Sequence, residues 1–356
     1  MYYKQINGIR AFAVLGPLVV HLWPRNLPDS PYTTAIAHLG SLGVDLFFVI
    51  SGFLITGILI RSRGYVKNKR ISLGRSLAIF YARRAIRIFP IYYLLITTLL
   101  LLGLKELQEH AGWYYGYMAN FRIMSMGYWP GAVAHMWSLS VEEQFYLAWP
   151  LFVLLTPDRW ARQLFLVLFA SGPIYRVSMI LLGGNSIWVG IAPISCLDPL
   201  TGGALLALWM YQYQDGRYYG KLRMIGLIGC FLFLLQVLIY VIVYKGGPIN
   251  SQLPFMRTAA TLVFMWLIGA AALERTQGLG AIFLFKPIEY IGRISYGIYL
   301  YHLTIPWILA TVLGIHPSRS MGSFLAISAM TIVVASFSWH FIEAPINKLK
   351  RFVPSP

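Results

Sequence analysis

Ten stretches of this sequence stay apolar for about the thickness of a bilayer, and that fact limits the fold more than any other. A helix needs about 20 residues to cross the hydrocarbon layer. The windows run roughly over 6–23, 41–60, 86–104, 134–156, 163–182, 187–211, 223–244, 256–273, 294–315 and 320–342. Most are uninterrupted, as in Ile88–Leu104. The first is the shortest clean run, because Arg10 and His21 leave only Ala11–Val20 free of ionisable groups. That length suits a signal-peptide core, but Trp23, Pro24 and Arg25 follow it in place of a small-residue cleavage pattern, so it is read as an uncleaved first helix. Composition agrees: 58% of the 356 residues are hydrophobic and 12% charged, against about 25% charged in soluble domains. Soluble, fibrous, disordered and disulfide-scaffold classes are excluded. The expectation is an all-α polytopic membrane protein of about ten transmembrane helices, with a single transmembrane domain over 1–342 and a short cytoplasmic tail over 343–356.

The chain carries a net charge of +17. Such an excess points to nucleic acid, anionic lipid or an anionic cofactor, and the placement of the charge chooses among them. With the N-terminus inside, 22 of the 29 basic residues fall on the cytoplasmic side. The other seven are Arg25, Lys105, Arg122, Arg176, Lys245, Arg257 and Arg319. This is the positive-inside asymmetry, so both termini are expected in the cytoplasm and no nucleic-acid partner is expected. One segment exceeds what topology needs. Arg61–Arg87 holds nine basic residues and no acid. Within it Arg84 and Arg87 are three apart and share a helix face, where two guanidiniums make a phosphate clamp. A lipid-headgroup anchor is the competing reading.

Ionisable groups at membrane depth are costly and default to functional candidates. Here they are Arg10, His21, Asp45, Glu142, Glu143, Arg176, Asp198 and His302. Arg10 and His21 are eleven residues apart, three turns plus about 20°, so they project from one face roughly 16 Å apart along the axis. A cation toward the cytoplasm and an imidazole toward the outer end suit a long ligand with a phosphate head and a reactive tip. A snorkelling Arg with an interfacial His is the bland alternative. Glu142 shares an i, i+4 line with Ser138 and Tyr146, whereas Leu139 and Leu147 flank Glu143. Glu142 or Asp45 is therefore expected either to orient the histidine or to tie helices together. His302 stands one turn after Tyr299 and is expected to line the same cavity. His38, His110 and His316 read as solvated, and His135 and His340 as interfacial packing. Cys196 and Cys230 read as small apolar residues. No metal-ligand spacing, nucleophile elbow or phosphate loop is present, and no metal is expected. Aromatic residues crowd Lys105–Gly131, as they do in a headgroup-level belt or on a sugar-binding surface.

Several of these stretches, taken in order, resemble the acyltransferase-3 family of membrane acyltransferases. They are NGIRAFAV with His21 after it, LGVDLFFVISGFLITGIL from Leu42, FYARRAIRIFPIYYL from Phe80, MWSLSVEEQFYLAWP from Met136, SYGIYLYH from Ser295 and FIEAP from Phe341. Asn7 stands where the family often has Asp. Some members add a C-terminal hydrolase-like domain; none is expected in this chain, which favours direct transfer to the acceptor. The resemblance implies transfer of an acyl group, usually acetyl, from acyl-CoA to a hydroxyl of an envelope glycan such as lipopolysaccharide O-antigen or exopolysaccharide, in the cytoplasmic (inner) membrane. It implies His21 as the catalytic residue and ties Arg10, Arg84 and Arg87 to the acetyl-CoA donor. The expected chemistry has His21, oriented by Glu142 or Asp45, take the proton of a sugar hydroxyl that attacks the thioester, or carry the acyl group itself. A carbohydrate or glycolipid acceptor and the lipid bilayer are the other expected partners. The rival readings are a glycan or lipid-linked-sugar flippase and an acyltransferase with a small-molecule acceptor.

Overall fold

The computed structural model describes residues 3–24, 31–213, 216, 218–243, 254–276, 278–318 and 320–353, with backbone alone for 31–39, 241 and 243. Arg25, Arg217, Lys245 and Arg319, counted in the charge asymmetry, lie outside the described residues, as does the His38 side chain. Every regular element among the described residues is helical, as a chain without water to satisfy its backbone requires. In order they are α1 (Lys4–Leu22), α2 (Pro31–Lys67), α3 (Leu73–Leu101), α4 (Lys105–Tyr115), α5 (Ala119–Met126), α6 (Met136–Leu155), α7 (Asp158–Leu181), α8 (Ser186–Ile191) and α9 (Leu197–Gln212). They continue as α10 (Tyr219–Val243), α11 (Met256–Ala272), α12 (Gly278–Leu284), α13 (Lys286–Arg293), α14 (Ser295–Tyr301), α15 (Thr304–Val312), α16 (Met321–Ser338) and α17 (Ala344–Asn347).

Among the described residues seven helices are long and apolar enough to cross a membrane: Lys4–Leu22, Gly40–Lys67, Leu73–Leu101, Asp158–Leu181, Pro193–Gln212, Tyr219–Tyr240 and Met321–Phe352. Three of the ten expected spans fall short, each for its own reason. The 20-residue α6 has Glu142, Glu143 and Gln144 in its middle, which lowers its hydropathy. The apolar helix α11 has 17 residues. The window over 294–315 is not one helix: α14 stops at Tyr301, and α15 resumes at Thr304 after a turn at His302 and Leu303.

The chain divides into two compact units. The first comprises 1–57, 157–295 and 319–324; the second comprises 58–156, 296–318 and 325–356.

The first unit is built on close helix crossings through small residues, which in lipid replace the hydrophobic drive for helix association. Pro17 inside α1 has no N–H to give to the carbonyl of Ala13. Gly43 of α2 packs directly onto that carbonyl, and a side chain at Gly43 would overlap it. Farther along α2, Gly52 packs against the Leu200 carbonyl of α9, again leaving no room for a Cβ. At the other end of the unit, α1 is held by Thr276, whose hydroxyl donates to Gln5 Oε1 at 2.7 Å.

The second unit is organised around α3. Ser72 caps its start by accepting from the Arg75 N–H at 3.2 Å. Gly103, with φ of 87°, turns the chain out of it. The tyrosine hydroxyls of α3 then pin the following segment: Tyr92 donates to the Tyr114 carbonyl at 2.8 Å and Tyr93 to the Tyr115 carbonyl at 3.1 Å. Gln144 of α6 holds the same segment, donating to the Tyr117 carbonyl at 2.8 Å and to Asn120 Oδ1 at 2.9 Å. The aromatic run over Lys105–Gly131 is accordingly divided. Tyr114 and Tyr117 are buried, while Trp113, Tyr128 and Trp129 remain exposed.

Substituting Gly52 by Val is expected to cost about 1–3 kcal/mol or to prevent assembly, since the added atoms overlap a backbone carbonyl. Gly57→Ala in the same helix has open space around it and is expected to be neutral. Melting temperature in detergent and yield in membranes measure both variants.

Candidate active site

In the first unit Arg10 is half-buried on α1 and His21 is accessible near its C-terminal end. One continuous helix therefore carries both residues, in the sense the sequence spacing requires. Of the two readings open for Asp45, its position accords with tying helices together. Gly16 and Ala13 of α1 face Gly40 and Gly43 of α2, an antiparallel register in which Asp45 stands level with Ala11. His21 is about ten residues, or about 15 Å, farther along the axis. The Asp45 carboxylate is paired with Arg257 of α11, whose Nε lies 2.8 Å from Asp45 Oδ1.

This pair adjoins a second one. Arg176 of α7 grips Asp198 of α9 with two parallel bonds, Nη1 to Oδ1 at 2.9 Å and Nη2 to Oδ2 at 2.8 Å. Arg176 is 4% exposed and Asp198 is 0%. The remaining donors of Arg176 go to the Ser195 carbonyl at 2.6 Å, the Pro254 carbonyl at 2.7 Å and the Thr258 hydroxyl at 2.8 Å. Arg257 also donates to the Ser195 carbonyl, at 3.1 Å. Two cations and two carboxylates thus neutralise each other around one turn of backbone, which is what low dielectric demands of buried charge. Sequence reasoning singled out Arg176 and Asp198 separately but did not pair them, and it counted Arg257 only as an outer-side charge. Pairing depends on helix register, which no local pattern encodes.

In the second unit the guanidinium of Arg84 stacks on Tyr146 of α6, 4.3 Å from the ring centre. Tyr146 donates its hydroxyl to Glu142 Oε1 at 3.1 Å, so the i, i+4 line read from the sequence exists as a hydrogen bond. Ser138, the third member of that line, bonds instead to the Tyr299 hydroxyl at 2.5 Å. Arg84 attracts the Glu143 carboxylate and Glu142 repels it; the sequence had set Glu143 aside. Arg87 acts electrostatically on Glu343, a buried carboxylate in a π-helical turn at Trp339–Glu343 that accepts from the Ser338 hydroxyl at 3.0 Å. Arg83, Arg84 and Arg87 all repel the ammonium of Lys350. Arg83 in turn donates to the Val353 carbonyl at 2.6 Å. Four cations therefore gather in this unit, one of them from the tail, which the sequence had assigned to topology alone. Such a cluster fits a polyphosphate group.

His302 is fully buried, as is His135, and their rings meet edge to face with centres 4.8 Å apart. His302 Nδ1 is 2.6 Å from the Tyr299 carbonyl and His135 Nε2 is 3.1 Å from the Leu300 carbonyl. Sequence reasoning had His135 as interfacial packing. Nothing local marks it, because its partner lies across the turn that breaks the window over 294–315. Among the described residues no group of three or more His, Cys, Asp or Glu is placed to hold a metal ion, and Cys196 and Cys230 are free thiols.

Comparison with known proteins decides the lineage. Residues 3–341 match the acyltransferase domain family also called acyltransferase 3. The chain belongs to the acyltransferase-3 family. Among curated proteins it is 29% identical over 380 residues to the peptidoglycan O-acetyltransferase OatA of Listeria monocytogenes, covering 98% of this chain and 56% of that protein. It is 28% identical over 376 residues to the O-acetyltransferase OatA of Staphylococcus aureus, covering 98% and 57%. The chain spans little more than half the length of the curated relatives it matches. No solved structure matches it.

The buried Arg176–Asp198 pair is a mainstay of the first unit. Asp198→Ala, which strands a buried guanidinium, is expected to cost about 3–5 kcal/mol. Adding Arg176→Met to it is expected to recover most of the loss. Thermal unfolding of the detergent-solubilised variants compares the two.

Proposed function

We propose that the chain is a membrane O-acetyltransferase that moves an acetyl group from acetyl-CoA on the cytoplasmic side to a hydroxyl of a cell-envelope glycan. The observation that carries this reading is the gathering of Arg83, Arg84, Arg87 and Lys350 in one unit of an acyltransferase-3 family member. A flippase reading leaves the chain's membership of an acyltransferase family unexplained. The likeness to a peptidoglycan O-acetyltransferase favours a peptidoglycan-type acceptor over the lipopolysaccharide or exopolysaccharide type expected from the sequence.

In this reading Arg84 and Arg87 hold the donor, their guanidiniums taking phosphate oxygens bidentately, and Arg10 is proposed as a further donor-binding residue. His21 removes the proton of the acceptor hydroxyl as its oxygen attacks the thioester carbon, and the thiolate of coenzyme A leaves. A transient acyl-histidine is the alternative use of the same ring. Glu142, whose Oε1 accepts from the Tyr146 hydroxyl, is proposed as a catalytic carboxylate. Asp45, engaged by Arg257 at 2.8 Å, is proposed to keep the first unit's charge in balance and so to hold α1 in place.

His21→Ala is expected to lower acetyl transfer in membranes at least a hundredfold, the range of a lost general base. Combining Arg84→Ala with Arg87→Ala is expected to raise the KM for acetyl-CoA about tenfold or more, through lost charge-assisted bonds. Acceptor acetylation measured against acetyl-CoA concentration reads both. Near-normal transfer by the His21 variant overturns its assignment, and an unchanged KM removes the clamp.

A further inference from the structure

Tyr117 occupies a position that the fold goes to some trouble to maintain. Its backbone φ is 52°, a left-handed conformation that bulky residues rarely adopt, and it persists only where the surroundings impose it. Those surroundings are specific. Its carbonyl is held by Gln144, and its ring stacks on Tyr92 with centres 4.3 Å apart and leans on Phe89 at 5.7 Å.

The side chain is 6% exposed, yet its hydroxyl is buried with no hydrogen-bond partner among the described residues. The phenols around it are all satisfied: Tyr92 and Tyr93 donate to carbonyls of the neighbouring segment, Tyr114 donates to Glu106, and Tyr296 donates to the Ile88 carbonyl at 3.2 Å. A buried donor left empty is a cost that native folds avoid. A second empty donor belongs to the same surroundings: Arg84 Nε is likewise buried without a partner. The Glu143 carboxylate is the common electrostatic neighbour of Tyr117 and Arg84. A strained backbone, an empty phenol and an empty guanidinium N–H around one carboxylate describe a site prepared for an oxygen that arrives with a ligand.

We propose that the Tyr117 hydroxyl donates a hydrogen bond to a substrate oxygen, either the thioester carbonyl of the acyl donor or the hydroxyl of the glycan acceptor. This rests on the acetyltransferase reading above. The stacked ring supplies rigidity, and the left-handed backbone aims the phenol. The strain and the vacant donor are stability given up for binding.

The test uses the full chain in membranes, with Tyr117→Phe and Tyr92→Phe compared with the unmodified protein. Tyr117→Phe removes one oxygen, keeps the stack and leaves no partner behind. Its melting temperature is expected to be unchanged or higher, while transfer from acetyl-CoA to peptidoglycan fragments falls about tenfold, the worth of one buried hydrogen bond. Tyr92→Phe strips the Tyr114 carbonyl of its donor and is expected to melt lower. A fall in kcat or a rise in the KM for acetyl-CoA assigns the thioester carbonyl, whereas a rise in the KM for the fragment alone assigns the acceptor hydroxyl. Wild-type transfer by the Tyr117 variant overturns the proposal. So does a fall in transfer that merely follows a fall in melting temperature. If the unmodified protein transfers no acetyl group, the acetyltransferase reading fails instead.

Discussion

A charge or an unbonded polar group in hydrocarbon must find a partner inside the protein, and this one constraint explains most of what the chain does with its few charged residues. In the first unit the solution is closed. Arg176, Asp198, Arg257 and Asp45 use one another, the Ser195 carbonyl and the Thr258 hydroxyl until the charge sums to zero. In the second unit it is not closed. Arg83, Arg84, Arg87 and Lys350 repel one another. The Glu143 and Glu343 carboxylates act against them, and Arg84 Nε and the Tyr117 hydroxyl have no hydrogen-bond partner among the described residues.

Helix packing serves the same end. The proline in α1 leaves a carbonyl free, and a glycine from α2 covers it. That crossing sets the register that carries Asp45 to the level of Ala11 and away from His21. Where α14 stops short of α15, the freed turn is filled by the buried His135 and His302 rings and their carbonyl partners. Irregular backbone at such depth survives only when its polar groups are paired within the protein.

Much of this was legible beforehand. Seven spans could be read from hydropathy because a bilayer imposes both length and apolarity on them. The Arg84 and Arg87 face and the Tyr146–Glu142 line could be read because both lie within single helices. What escaped depends on contacts between helices. The partner of Asp45 is Arg257, more than two hundred residues away; hydropathy over 294–315 cannot reveal a turn; and Lys350 joins the arginines only because the tail folds back beside α3, as the Arg83 bond to Val353 records. Tyr117 escaped because it sits in an aromatic run whose members look alike in sequence, and only burial and backbone angle distinguish it.

In the proposed function this chain spends a thioester on a glycan hydroxyl. That step is tested most directly with the purified full chain in proteoliposomes, given acetyl-CoA labelled in the acetyl group together with peptidoglycan fragments. Label should pass into the glycan as an ester removable by mild base, with one free thiol of coenzyme A released per ester formed. Label remaining in acetyl-CoA while fragments bind or cross the bilayer would contradict the account and identify a carrier in place of an enzyme.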